Sequence, residues 1–97
     1  MPTYVSLVKW TEQGIRNIKE APQRVDKFKK AVEAAGGKVN GFYFTMGKYD
    51  IVVIVDFPSD EAAATVVLST GSKGNVRTDT MKAFTENQFM NIVAKVQ

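Results

Sequence analysis

Apolar and β-branched positions crowd the opening stretch Thr3–Trp10 (Thr-Tyr-Val-Ser-Leu-Val-Lys-Trp), which predicts a first strand. Thr11 then suits the N-cap of a short helix, with Glu12 in its first turn and Ile15 and Ile18 on one face. Pro22 fits the first position of a longer helix, along which Val25, Phe28, Val32 and Ala35 recur at the spacing of a single helical stripe. Gly36-Gly37 ends that helix, since one glycine can supply the left-handed cap. Residues 38–46, with Phe42-Tyr43-Phe44, predict a second strand, and Gly47 marks a tight turn. From Ile51 to Phe57 every residue but Asp56 is apolar, the pattern of a central strand covered on both sides. Ser59 can cap a helix over about residues 60–70, where Asp60 and Glu61 favour the N-terminal dipole and Gly71 and Gly74 break the run. Residues 75–84 alternate polar and apolar as a fourth strand. Thr85-Glu86-Asn87-Gln88 has the capping-box spacing, and a final helix carries Phe89, Ile92 and Val96.

The order β-α-β-β-α-β plus a terminal helix is the ferredoxin-like pattern of the α+β class, with a four-stranded antiparallel sheet. Right-handed crossovers bring the first and third strands together in its middle, and this pair is expected to run parallel within an otherwise antiparallel sheet. Helices cover one face only. The third strand is nevertheless apolar on both, through Ile51, Val53, Val55 and Phe57 on one side and Val52 and Ile54 on the other. A second copy packed sheet to sheet would cover the open face, so a homodimer or higher oligomer is expected.

Composition narrows the chemistry more than the fold. A chain of 97 residues forms a single domain, residues 1–97, with a modest core. It holds no cysteine, which excludes disulfides, thiolate metal sites and cysteine nucleophiles, and no histidine, which removes the usual general base and haem ligand. Thirteen Lys and Arg against ten Asp and Glu give a net charge of +3, spread along the chain. The densest run, Lys27-Phe28-Lys29-Lys30, falls inside a helical pattern and reads as a solvated face. Nucleic-acid binding has only that charge in its favour, without a recognition helix or aromatic RNP-like motif. No apolar stretch reaches the ~20 residues of a membrane span, and no signal peptide is visible, so a cytoplasmic protein is expected.

Several stretches together resemble the GYD-domain family. They are Thr11-Glu-Gln-Gly-Ile-Arg-Asn-Ile-Lys19, Thr45-Met-Gly-Lys-Tyr-Asp50, Asp60-Glu-Ala62, and Gly74-Asn-Val-Arg-Thr78 with Ala83-Phe-Thr85. The family's Gly-x-Tyr-Asp motif corresponds to Gly47, Tyr49 and Asp50, and the resemblance spans nearly the whole chain. It implies a dimeric α/β-barrel, similar in shape to the ligand-binding domains of Lrp/AsnC-type regulators and to small cofactor-free oxygenases and isomerases. It implies no particular reaction.

The named motif reads as structural: Gly47 turns the chain, Asp50 accepts backbone N–H groups across the turn, and Tyr49 lies over the hairpin end. The opposite end of the sheet is the better candidate site. With the central strands parallel, Lys9, Trp10, Asp56, Asn75 and Arg77 share one edge, far from Tyr49 and Asp50. The short helix beginning there adds Gln13 and Arg16. The candidate binding residues are therefore Trp10, Gln13, Arg16, Asn75 and Arg77, with two guanidinium groups to hold a small anion and the indole as an apolar wall. The bland alternative is that Arg77 pairs with Asp56 or Asp79 and Trp10 belongs to the core.

Weaker signals point elsewhere. Gly71-Ser-Lys-Gly-Asn75 lacks the Walker spacing and follows a helix C-terminus, the wrong dipole end for phosphate. Asp50, Asp56, Asp60 and Glu61 lack the spacing of a calcium loop, and no two acids visibly converge for glycoside hydrolysis. No metal or cofactor is expected. Two functions remain in competition: a small-molecule-binding or regulatory homo-oligomer, and a cofactor-independent oxygenase or isomerase using Tyr43, Lys9, Asp56 or Arg77.

Overall fold

A computed structural model describes all 97 residues. Strand β1 (Thr3–Trp10) leads into α1 (Glu12–Arg16), a single 3-10 turn (Ile18–Glu20) and α2 (Ala21–Ala34). Strands β2 (Lys38–Phe44) and β3 (Ile51–Asp56) form a hairpin, followed by α3 (Asp60–Ser72), β4 (Val76–Ala83) and α4 (Glu86–Val93). The sheet order is β2-β3-β1-β4, the α+β ferredoxin-like layout expected from the sequence.

Helix boundaries follow local chemistry. The Thr11 hydroxyl accepts the Gly14 N–H at 3.1 Å and the Ser59 hydroxyl accepts the Ala62 N–H at 3.1 Å, satisfying donors that a helix start leaves free. Thr85 and Gln88 close a reciprocal box at 2.8 and 3.1 Å. At the end of α2, Gly36 adopts φ 82°, and the Gly36 and Gly37 N–H groups return to the Glu33 and Val32 carbonyls. Helix α3 runs through Gly71 to Ser72 rather than stopping near residue 70, and the left-handed break is at Gly74 (φ 81°). Val96 lies beyond the end of α4. Strand β1 has the expected span, whereas β2, β3 and β4 are each one or two residues shorter than their patterns suggest.

One expectation is corrected. Strands β1 and β3 are antiparallel, with Thr3 opposite Asp56 and Val8 opposite Ile51. The right-handed crossover through α1 and α2 makes β2 the parallel companion of β1, and β3 turns back between them. Lying between two strands that run the same way, β3 must oppose both. Asp56 therefore sits at the Thr3 end of the sheet, away from Trp10, whereas Tyr49 and Asp50 lie at the Trp10 end.

The core occupies the helix-covered face. Tyr4 and Val8 of β1 and Ile51, Val53 and Val55 of β3 are buried against Val32, Ala63 and Val66, with Phe57 closing the strand end. On the other face Val5, Leu7, Val52 and Ile54 are half-buried and no helix covers them. Met81 and Tyr43, opposite Val5 and Val52, share that face and are exposed. A bulge between Val39 and Gly41 displaces Asn40 toward Asp56, whose carboxyl is held below its usual range by the Thr3 hydroxyl and then by Asn40.

Candidate functional site

Trp10 ends β1 on the helix side of the sheet, where it stacks on Phe44 with ring centroids 5.8 Å apart. Its backbone N–H donates to the Asp50 carboxylate at 2.9 Å, and the Asp50 N–H donates to the Val8 carbonyl at 2.8 Å. The motif aspartate thus clamps the end of a neighbouring strand instead of bridging only its own turn. Tyr49 reaches across to the open face and donates to Asp79 at 2.8 Å, which raises the tyrosine pKa; desolvation adds to the effect.

The start of α1 is stitched to the loop before β4. The Thr11 N–H donates to the Asn75 carbonyl at 3.0 Å and the Thr11 hydroxyl to the Gly74 carbonyl at 2.6 Å. Gln13 donates its amide N–H to the Lys73 carbonyl at 3.1 Å and to the Asn75 side chain at 2.9 Å. Gly14 allows this approach, because a Cβ there would stand 2.0 Å from the Asn75 carbonyl oxygen.

Between this stitched corner, α2, α3 and the sheet lies a cavity of about 470 Å³. That is within the usual range of small-molecule sites. Its sheet wall carries Ser6, Val8, Phe42, Ile51, Val53 and Val76, and its helix wall Val25, Phe28, Ala31 and Val67. Ser6, buried in the wall, shares a hydrogen bond of 2.9 Å with Thr80 and so leaves no polar atom unmet. Trp10 also borders a shallower hollow lined by Ile18, Pro22 and Phe44, and so stands between the two.

Of the five candidate residues, the structure brings Trp10, Gln13 and Asn75 to this cavity and leaves Arg16 and Arg77 outside it. The expected convergence of two guanidinium groups is therefore corrected. Arg16 is on the outer side of α1, 67% exposed, paired with Glu12 at 3.1 Å. Arg77 alternates with Val76 and Thr78, which line the cavity, so it projects from the open face, where it stands opposite Lys9. It pairs with neither Asp56 nor Asp79. The guanidinium on the cavity belongs instead to Arg24, half-buried on α2, donating to the Asn17 carbonyl at 2.9 Å and the Gly14 carbonyl at 3.1 Å. Sequence reasoning passed over Arg24, although it lies one turn before Phe28 and beside Val25, on the edge of the apolar stripe.

The residues weighed for catalysis do not meet. Tyr43, Lys9 and Arg77 lie on the open face, Asp56 is at the far end of that face, and none lines the cavity. The acids are likewise dispersed: Asp50 engages Trp10, Asp56 accepts from Thr3 at 2.7 Å, and Asp60 takes the Tyr4 hydroxyl and the Lys82 ammonium. In the lysine run, Lys30 forms an exposed pair with Asp26, Lys29 reaches toward the sheet to sit 5.8 Å over the Phe42 ring, and Lys27 borders the cavity.

The family model of the GYD domain matches residues 4–93. The chain belongs to this family. A Thermus thermophilus protein named as a glutamine synthetase and cystathionine beta-lyase binding protein is 30% identical over 84 residues, covering 86% of this chain and 88% of that one. Among solved structures, a feast or famine regulatory protein from M. tuberculosis, complexed with L-methionine, superposes with a TM-score of 0.64 at 16% identity. This GYD chain aligns over 91% of its length but covers only 56% of that regulator. The structure of TTHA0845 from Thermus thermophilus aligns with a TM-score of 0.56 and 26% identity over 88% of this chain and 95% of that one. No helix of the chain is long and apolar enough to cross a membrane.

Proposed function

We propose that this GYD-domain chain is a self-associating, small-molecule-binding protein of regulatory type. The observation that carries the reading is the cavity: its walls are largely hydrocarbon, with Ser6 and Thr78 the polar side chains on the sheet side, and its charged groups, Glu20, Arg24, Lys27 and Lys73, come from the helices and the loop after α3. An apolar body with a few polar groups at its rim suits retention of a ligand. Self-association is supported by surface. The chain exposes 6793 Å², against about 5,500 Å² for a compact monomer of its mass. The excess is more than the ~800 Å² that each partner buries in a stable interface. The open sheet face, with Val5, Leu7, Val52 and Ile54, is the surface we assign to a second copy. A structure of the protein as purified, with native mass spectrometry, tests both parts. Density inside the cavity and a mass above one chain support the reading; an empty, water-filled cavity across ligand screens and a single-chain mass overturn it.

A second reading, contact with another protein, is favoured by α4. Its Phe89, Met90, Ile92 and Val93 are all exposed, 45% to 59%, and form one apolar side of the helix. The enzyme-binding name of the Thermus thermophilus relative points the same way. Surface plasmon resonance against the organism's own glutamine synthetase, with and without Phe89→Ser, separates this reading from the first.

A further inference from the structure

We infer that the cavity takes a small organic acid, its apolar body lying beneath α2 and its carboxylate held by Arg24. The inference rests on the cavity reading above and specifies the ligand's chemistry. Three cations border the cavity, Arg24, Lys27 and Lys73, and one carboxylate, Glu20. None of the three cations has an ion-pair partner, since the ion pairs of the chain join Arg16 to Glu12, Lys30 to Asp26 and Lys82 to Asp60. Lys73 is the C-cap residue of α3, a position where the helix dipole favours a cation whatever the ligand. Arg24 differs. Two of its N–H groups are fixed on the Asn17 and Gly14 carbonyls, both neutral acceptors, so the fork is oriented without its charge being neutralised. Three of its five N–H groups remain for a ligand. A planar, half-buried and pre-oriented guanidinium is suited to a carboxylate.

The neighbouring walls choose the rest of the molecule. Phe28, Phe42, Val25 and Ala31 offer no polar partner, so the body is aliphatic or aromatic. Among charged groups, a ligand ammonium would meet three cations and a single carboxylate, the exposed Glu20. The acid therefore carries no second, positive group.

Calorimetry on the full chain with 3-phenylpropionate, its neutral amide 3-phenylpropionamide and L-phenylalanine tests the assignment. The acid binds, and the amide binds about 10- to 100-fold more weakly, the range of a charged hydrogen bond. Phenylalanine also binds more weakly than the acid. Equal binding of acid and amide overturns the acid assignment and leaves the cavity reading standing, as does tighter binding of phenylalanine. Binding of none of the three overturns the cavity reading itself. Arg24→Gln lowers affinity for the acid and spares the amide; an equal loss for both would show that Arg24 only holds α1 in place, and would overturn its role at the carboxylate. Ala31→Phe fills the helix wall and abolishes binding of both. Acid binding that survives Ala31→Phe would place the anion on the outer surface and overturn the assignment.

Discussion

The Asp50 carboxylate accepts the backbone N–H of Trp10 at 2.9 Å, tying the β2–β3 turn to the end of β1 across 40 positions of sequence. The same strand end carries the indole that borders the cavity, so the family's named aspartate supports the site without lining it. Removing the carboxylate in Asp50→Ala strands a part-buried donor. A loss of about 1–3 kcal/mol is expected by urea denaturation, with Asp50→Asn losing less because its carbonyl oxygen can still accept. An Asp50→Ala protein as stable as wild type would rule the clamp out.

Gly14 packs its backbone against Asn75 so closely that any side chain collides with a carbonyl oxygen, which cannot rotate away as a flexible side chain would. Gly14→Ala is expected to cost about 3 kcal/mol, despite alanine's better helix propensity. The damage should be local as well as global. Faster amide exchange at Thr11, whose N–H bonds to Asn75, checks that the corner joining α1 to β4 has opened.

Much of the fold was legible because its signals are local. Thr11, Ser59 and the Thr85–Gln88 box start their helices as their side-chain chemistry requires, and Gly36 ends α2 in the expected left-handed turn. The continuous apolar run of β3 placed it in the middle of the sheet. Strand direction was misread because it depends on which strand the crossover joins to β1, a relation no single segment carries. That error moved Asp56 to the wrong end and separated Asp50 from Trp10. Side-chain facing explains the arginines. Arg77 is close to Asn75 and Val76 in sequence but alternation turns it to the other face, while Arg24 and Lys27 reach the cavity from the edge of a helix whose charged residues read from sequence as a solvated face.

The Tyr4 hydroxyl donates to Asp60 at the start of α3, a link between the buried strand and the helix N-terminus. This bond, with burial, pushes the Tyr4 pKa up to about 12, and the same bond, with Lys82, holds the Asp60 carboxyl below its usual range. The depressed Asp60 contributes stability above its unfolded value of about 3.9, lost as pH falls through the folded value. The raised Tyr4 contributes stability in full below about pH 10, lost as pH climbs from there toward about 12. Tyr4→Phe keeps the edge-on packing against Phe57, removes the Tyr4 contribution and removes the part of the Asp60 contribution that comes from this bond, leaving the part due to Lys82. Urea denaturation of wild type and Tyr4→Phe should therefore give curves that converge at the acid and alkaline ends. A stability difference that stays constant with pH would contradict the coupling.

Arg77 looked like the anion ligand from sequence, and its position on the open face now predicts the opposite. Arg77→Ala should leave the affinity for 3-phenylpropionate within about twofold of wild type, because the side chain is separated from the cavity by the sheet. Calorimetry on Arg77→Ala beside Arg24→Gln makes the comparison direct. A larger loss at Arg77 would return the site to the other face.

The open face offers the sharpest test of self-association. Val52 lies on central strand β3, flanked in register by Leu7 of β1 and Tyr43 of β2. A charge placed there would have to be desolvated on the approach of a second sheet, without a partner to offset the cost. In an isolated chain the same position borders water, so Val52→Lys should change folding stability little. Light scattering is expected to show wild type as a dimer or larger and Val52→Lys as a species of 10.7 kDa at micromolar concentration. A conservative Val52→Ile change, which keeps the face apolar, should leave the assembly intact. If Val52→Lys still assembles like wild type while remaining folded by circular dichroism, the sheet face is not the interface, and the exposed apolar side of α4 becomes the surface to test next.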